Sequence, residues 1–281
     1  MSPYGGDSHG LLVRARAGLL DALQALEGQR DALVVIGAQA VYLRTGELDV
    51  ALAPATNDSD FSLDPRLLQD DPRIEQAMRR AGFLPSAQPG SWLREDGIPV
   101  DLMVPRKLAG SGRRSVSIPP HDKFSARQTR GIEATLVDFD VQEITSLDLA
   151  DNRSISAKVA GPAALLVAKI HKIVERLQTP MRSNDKDAHD SYRILRSVET
   201  SELRNRFLSL LNDELSQQST MEALVYLREH FAAGPESAGS MMAGRAEAGL
   251  GDPSQVSLSV AFLAEDLINA LVDGGIAIRR Q

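Results

Sequence analysis

The sequence contains no cysteine among its 281 residues. This excludes disulfide bonds, thiolate nucleophiles, and zinc or iron–sulfur sites with cysteine ligands. No run approaches the roughly 20 apolar residues that a membrane-spanning helix needs. The segment from Met1 to Gly10 is polar and lacks the basic and apolar regions of a secretory signal. We therefore expect a cytoplasmic protein with no membrane partner.

A net positive charge is also lacking, since the formal net charge is −7. This argues against a protein that coats nucleic acid non-specifically. The segment 106–130 is an exception, with a single acid, Asp122, among many basic residues. Those residues are Arg106, Lys107, Arg113, Arg114, Lys123, Arg127 and Arg130. We call 106–130 the basic segment; it is either a solvated loop or a surface that faces a polyanion.

The spacing of apolar residues predicts an α+β protein with a mixed α/β domain over 1–160 and a helical domain over 161–281. In the first domain it predicts helices at 11–29 and 38–44, a helix that begins at Pro65, and strands at 33–36, 58–63, 92–94, 98–104, 133–139 and 154–159. Two of these strands, 92–94 and 98–104, flank Asp96-Gly97, which is typical of a hairpin turn. In the second domain it predicts helices at 162–178, 186–198, 200–214, 219–232 and 255–274, with a flexible connection over 233–251.

The acidic residues Asp58 and Asp60 lie two positions apart on a predicted strand. Side chains alternate along a strand, so these two share a face about 7 Å apart. Two carboxylates this close favour a cation between them, and Mg²⁺ prefers carboxylate and phosphate oxygens. The alternative is a pair of exposed loop acids.

Three other features favour a phosphate-handling site. Gly37-Ala38 forms a strand–glycine–helix turn, whose free N–H groups suit a phosphate. Asp101 is an acid within an apolar strand, which calls for a metal or, alternatively, for a buried arginine partner. Basic residues at helical spacing, Lys169, Lys172 and Arg176, share a face that could neutralise a triphosphate or could simply be solvated.

An ordered set of motifs in 33–195 resembles the AbiEii-type toxin family, within the polymerase-beta-like nucleotidyltransferase superfamily. The motifs are Ile36-Gly37, Thr-x-Asp-x-Asp from Thr56 to Asp60, the apolar-flanked Asp101, Leu-x-x-x-Lys from Leu165 to Lys169 with Arg176, and Lys-Asp-x-x-Asp at Lys186, Asp187 and Asp190. The resemblance implies a nucleotidyltransferase-like mixed sheet flanked by helices, followed by a helical C-terminal region.

By position, the resemblance makes Asp58, Asp60 and Asp101 ligands of Mg²⁺ or Mn²⁺. Lys169 would contact nucleotide phosphates, and Asp187 and Asp190 would orient Lys169 or the substrate. The residues expected to bind the nucleotide are Gly37, Ala38, Thr56, Lys169, Lys172 and Arg176. The histidines His121, His171 and His189 are expected to have no chemical role.

The implied reaction is attack of a hydroxyl on the α-phosphate of a nucleoside triphosphate, with release of pyrophosphate. The implied acceptor is RNA, with tRNA favoured, and the protein would be a toxin with a separately encoded antitoxin as partner. Ala38 and Pro54 depart from the family pattern, which has Gly or Ser and Arg at these positions.

Three alternatives remain at this point. One is a nucleotidyltransferase that modifies a small hydroxylated molecule, as aminoglycoside nucleotidyltransferases do. Another is a catalytically reduced member of the fold that binds nucleotide or a protein, which the departures at Ala38 and Pro54 support. The third, an Asp-x-Asp glycosyltransferase, does not account for Asp101 or for the helix of Lys169.

Overall fold

The computed structural model describes residues 8–46, 58–110, 114–178 and 185–279. Within them the chain is α+β, as predicted, with a mixed eight-stranded sheet, flanking helices and a helical C-terminal region. The strands are β1 (Leu33–Ile36), β2 (Ser59–Leu63), β3 (Leu84–Pro85), β4 (Ser91–Leu93), β5 (Pro99–Pro105), β6 (Arg127–Thr129), β7 (Phe139–Thr145) and β8 (Ser154–Ala160). The α-helices are α1 (Ser8–Ala25), α2 (Gly37–Thr45), α3 (Ile74–Arg80), α4 (Pro162–Leu177), α5 (Lys186–Ser197), α6 (Thr200–Asn212), α7 (Gln217–His230), α8 (Ala238–Ala246) and α9 (Pro253–Asp273).

The chain divides into two compact units. The sheet unit comprises Met1–Ala40, Pro54–Thr129 and Phe139–Ala160, and it contains all eight strands. The helical unit comprises Val41–Ala53, Arg130–Asp138 and Gly161–Gln281, and it contains α4 to α9. The last border between the units coincides with the predicted division after residue 160. Two segments before it, Val41–Ala53 and Arg130–Asp138, are part of the helical unit.

The sheet has the strand order β3-β4-β5-β2-β1-β8-β7, with β6 paired to β5. Strand β1 is fully buried at the centre, as its run of Leu and β-branched residues predicts. It runs antiparallel to β2 and parallel to β8, and β2 runs parallel to β5. The registers Ile36↔Asp60 and Asp60↔Asp101 therefore bring the last residue of β1 and two acids to the same end of three neighbouring strands.

The hairpin predicted at Asp96-Gly97 is confirmed. Strands β4 and β5 pair antiparallel, and Arg94 N–H donates to the Ile98 carbonyl at 3.0 Å. Gly97 adopts φ +81°, a conformation that favours glycine. The turn chemistry is local, so the sequence pattern was sufficient to find it.

The prediction that a helix begins at Pro65 is wrong, because α3 begins only at Ile74. Pro72 has no N–H and disfavours helical geometry at the residue before it, so the chain turns until that point. The predicted strand 133–139 is also largely wrong. Glu133–Leu136 is a 3₁₀ turn, in which the Glu133 carboxylate accepts from Gly131 N–H at 2.9 Å, and the strand begins at Phe139.

The flexible connection predicted over 233–251 is wrong, because it contains helix α8. The small residues there allow neighbouring side chains and backbone to pack closely against α8. A Cβ on Gly239 would collide with the Phe231 ring, and one on Gly244 would collide with Ser257 and the Pro253 carbonyl. Glycines that allow such close helix contact resemble linker glycines in sequence composition.

Helix α9 is the one helix in the described ranges that is long and apolar enough to cross a membrane. Of its most apolar window, 39% is buried. The buried residues Val256, Val260, Ala264, Leu267 and Leu271 follow helical spacing. A core helix meets the same criteria of length and composition, so this is weak evidence for a membrane segment.

Candidate functional site

Two of the three predicted metal carboxylates are direct neighbours in the sheet. Asp60 on β2 pairs in parallel register with Asp101 on β5. Residues in register on adjacent strands share a face, with backbones about 4.8 Å apart. Asp60 is buried, and the Asp101 side chain is 18% exposed. The two acids are 41 residues apart in sequence, and only the sheet topology brings them together.

Gly37 provides the space for the Asp60 carboxylate. It adopts φ +72° at the first residue of α2, and a Cβ added there would overlap Asp60 Oδ2. Any other residue would both strain the backbone and displace the carboxylate. Gly37 and Ala38 lie in the first turn of α2, and the first N–H groups of a helix have no partner within the helix and carry a positive dipole, which favours an anion.

Asp58 lies one residue before β2 and is half-buried. The predicted strand therefore begins one residue later than expected, a difference within ordinary uncertainty at strand ends. Thr56 lies outside the described residues, as do Pro54 and the Ala-rich segment around it. We call Gly37, Asp58, Asp60 and Asp101 the carboxylate cluster.

Asp101 has an arginine partner, which the sequence left as the alternative to a metal. Arg127 Nη2 lies 2.7 Å from Asp101 Oδ2, and the Arg127 side chain is 19% exposed. Arg127 is on β6, which pairs with β5 beside Asp101. In the part of the chain that the structure describes, no three acidic or histidine side chains are arranged to hold a metal ion.

Lys169 is buried in the helical unit between two carboxylates. Its Nζ lies 2.9 Å from Asp187 Oδ1 and 2.6 Å from Asp190 Oδ2, so α4 and α5 are joined by this contact. Asp187 and Asp190 were expected to orient Lys169 or the substrate, and their contacts with Lys169 are present. Its predicted contact with nucleotide phosphates stays a prediction, and its ammonium is already neutralised here.

Asp187 also faces the other two basic residues of α4. Arg176 forms an ion pair with it, and Lys172 Nζ is 3.9 Å from Asp187 Oδ1. We call Lys169, Lys172, Arg176, Asp187 and Asp190 the lysine cluster. The shared basic face of α4 was predicted to meet phosphate, but within the helical unit it is directed at a buried acid.

Charge and burial act against each other in the lysine cluster. Burial alone would lower the pKa of Lys169, but Asp190 and Asp187 raise it well above its ordinary value. Burial alone would raise the pKa of Asp187, but Lys169, Lys172 and Arg176 hold it well below its ordinary value. Lys169 and Asp187 are therefore both charged at neutral pH.

The three histidines make contacts within their own units. His121 Nδ1 accepts from Ile74 N–H at 3.2 Å, and His171 Nε2 lies 2.8 Å from the Ser219 carbonyl. His189 Nε2 lies 2.7 Å from Glu247 Oε2 in the core of the helical unit. These contacts fix helix ends and helix pairs.

Sequence reasoning missed Arg127 as a partner and Arg16 as a buried cation. The signal for Arg16 was present, because it lies at helical spacing from Leu12 and Leu19 on the apolar face of α1. Arg16 is 5% exposed. For Arg127 the sequence offered only its place in the basic segment.

A cavity of about 450 Å³ lies in the helical unit, between α4 and α7, and is lined by Val174, Glu222, Tyr226 and His230, among others. None of the predicted site residues lines this cavity, so the cavity and the predicted site are different parts of the molecule. We give more weight to the carboxylate cluster, because two of its acids, Asp60 and Asp101, are juxtaposed by sheet register. Comparison with protein-family models, curated proteins and solved structures found no match for this chain.

Proposed function

We propose that the protein is a metal-dependent nucleotidyltransferase whose reaction takes place at the carboxylate cluster. The observation that supports this most is the register of Asp60 with Asp101, beside a glycine turn that opens a helix. Acids on adjacent strands can bind a metal ion, and a helix N-terminus next to them can bind a phosphate group.

The donor set suits Mg²⁺ or Mn²⁺, which take carboxylate oxygens together with phosphate oxygens. Asp58, Asp60 and Asp101 would hold the metal, which when bound would neutralise charge on the triphosphate and activate the attacking hydroxyl. Asp101 would exchange its contact with Arg127 for this role. Arg127 is then available, at the same edge, to contact a phosphate oxygen.

RNA is the acceptor that the basic segment favours. Arg106, Lys107, Arg114 and Lys123 are exposed in the sheet unit. Phe124 is 51% exposed, and Lys123 Nζ lies 5.2 Å from its ring centroid. An exposed aromatic ring beside cations suits stacking of an unpaired base together with a backbone contact. The further proposals of a tRNA acceptor, a toxin role, an antitoxin partner and a cytoplasmic location depend on the family resemblance.

The test is transfer of label to an acceptor. The protein is incubated with each nucleoside triphosphate labelled at the α-phosphate, with Mg²⁺ or Mn²⁺, and with total RNA or small hydroxylated compounds. We expect labelled RNA with the wild type and none with Asp58→Ala or Asp60→Ala. A γ-label should not transfer, because pyrophosphate leaves. Equal labelling by the wild type and both variants would contradict the proposal.

The ion pair of Asp101 with Arg127 favours a second candidate, a fold member that binds nucleotide without catalysis. In that case the pair is a permanent structural contact. The same assay separates the two candidates. Metal-dependent transfer of any α-label excludes the second one, and nucleotide binding without transfer excludes the first.

A further inference from the structure

Arg16 is a buried cation with neutral partners only. Its Nε donates to Gln39 Oε1 at 2.9 Å, and its Nη1 donates to the Thr145 carbonyl at 3.1 Å. Among the residues that the structure describes, no carboxylate pairs with it. Burial lowers the pKa of Arg16 to about 10, and no acid counters this effect. Arg16 thus remains charged at neutral pH, in a place where an unpaired charge is costly.

At the same point, Gln39 contributes a buried donor without a hydrogen-bond partner among the described residues. It lies in the first turn of α2 and is 1% exposed. Because its Oε1 accepts from Arg16, the orientation of its amide is set, and its Nε2 remains as a donor in the same amide group. Within the described ranges, Nε2 has no hydrogen-bond partner. A buried amide nitrogen without a partner is rare and calls for an explanation.

An anion would satisfy both groups. The guanidinium retains N–H groups that its two contacts do not use, and guanidinium matches the geometry of phosphate oxygens. The site also adjoins the N-terminal turn of α2, where the helix dipole favours negative charge. Within the described residues, Arg30 Nε and Arg127 Nη1 are also buried without a hydrogen-bond partner, but Arg30 pairs with Glu27 and Arg127 pairs with Asp101, whereas Arg16 has no carboxylate partner.

We propose that Arg16 and Gln39 form a subsite for a phosphate group of the substrate. That the phosphate belongs to a substrate rests on the proposed function. Phosphate is the chemistry shared by a nucleoside triphosphate and an RNA backbone, and the subsite takes either. Arg16 and Gln39 bind and position this group, and no bond is made or broken there.

The test measures thermal unfolding and binding with inorganic triphosphate in EDTA, at matched ionic strength. We expect triphosphate to raise the melting temperature of the wild type in a saturable manner. Arg16→Met should abolish this shift and weaken the apparent Kd by about tenfold or more, since a charge-assisted contact is lost. The control Arg14→Met removes an exposed arginine of the same helix that already pairs with Asp96, and it should retain the shift.

Gln39→Glu provides a test that does not depend on removing Arg16. A carboxylate there would pair with Arg16 internally, so the protein without triphosphate should melt at a higher temperature and respond less to triphosphate. If Gln39 has only a structural role, the response to triphosphate should be unchanged in this variant, whatever happens to the melting temperature without triphosphate. That result, or a full response in Arg16→Met, would overturn the subsite.

Two further arms identify the source of the phosphate and separate this proposal from the proposed function. Binding of a nucleoside triphosphate or of an RNA oligonucleotide that depends on Arg16 supports the subsite and names the source. If neither depends on Arg16, the subsite is excluded. Because these measurements need no metal or turnover, a protein that binds triphosphate through Arg16 but transfers no label retains the subsite and loses the proposed function.

Discussion

At the scale of single residues, Asp101 and Lys169 each have specific partners of opposite charge. Asp101 is next to Asp60 by register and is held by Arg127, while Lys169 is enclosed by Asp187 and Asp190. Each of these acids could be identified from the sequence as a candidate. Their partners could not, because Arg127 lies 26 positions from Asp101 and only strand pairing brings the two together.

Replacing Arg127 by Met should strengthen Mn²⁺ binding several-fold. The variant frees Asp101 and removes a positive charge 2.7 Å from it. Electron paramagnetic resonance of bound Mn²⁺ measures the effect, and the control is Arg106→Met, which removes an exposed arginine just past the other end of β5. Unchanged or weaker Mn²⁺ binding in Arg127→Met would mean that Asp101 is not a metal ligand.

Replacing Lys169 by Met should reduce the free energy of unfolding by about 3–5 kcal/mol, because Asp187 and Asp190 lose a buried cation. Urea unfolding measures this change. The control Lys172→Met removes a side chain that is 47% exposed and 3.9 Å from Asp187, and it should cost less than about 1 kcal/mol. Equal effects of the two variants would contradict a structural role for Lys169.

At the scale of elements, local patterns predicted what local chemistry determines. The central strand β1 and the hairpin at Gly97 follow from apolar runs and turn residues. The errors arose where tertiary packing decides. Helix α8 looks like a linker in composition because its glycines admit neighbouring helices, and the 3₁₀ turn at Glu133 depends on side-chain contacts to the backbone.

Replacing Gly37 by Ala should greatly reduce label transfer as well as stability. The substitution strains the first residue of α2 and pushes the Asp60 carboxylate away. Gly97→Ala is the matched control, since Gly97 also has a positive φ but a Cβ there would meet open space. Backbone strain of about 1–3 kcal/mol is common to both variants. If transfer falls equally in both, the displacement of Asp60 is not the cause.

At the scale of the whole molecule, each unit has its own core and its own charged cluster. The sheet unit contains the carboxylate cluster and the Arg16–Gln39 pair, and the helical unit contains the lysine cluster. Buried histidines occur in both units. The stability of the whole chain should therefore depend on pH through groups in each unit.

The free energy of unfolding should fall as the pH is lowered from about 7 to about 5. Burial lowers the pKa of His121 and of His171 below the ordinary value. Below about pH 6.5 the unfolded chain therefore takes up protons that the folded chain does not, which favours unfolding. Urea unfolding at several pH values measures the slope, and His171→Gln should reduce it. An unchanged slope in that variant would contradict the assignment for His171.

The most direct test of the central claim is the rate of pyrophosphate release from a nucleoside triphosphate with Mg²⁺ and RNA. The variant Asp60→Asn is compared with Asp64→Asn. Asp64 follows the last residue of β2 and pairs with Arg66. We predict a loss of rate of about a hundredfold or more in Asp60→Asn, as expected when a charge-stabilising group is removed, and a near wild-type rate in Asp64→Asn. Equal rates in both variants, or no metal-dependent release by the wild type, would contradict a nucleotidyl-transfer site at Asp60.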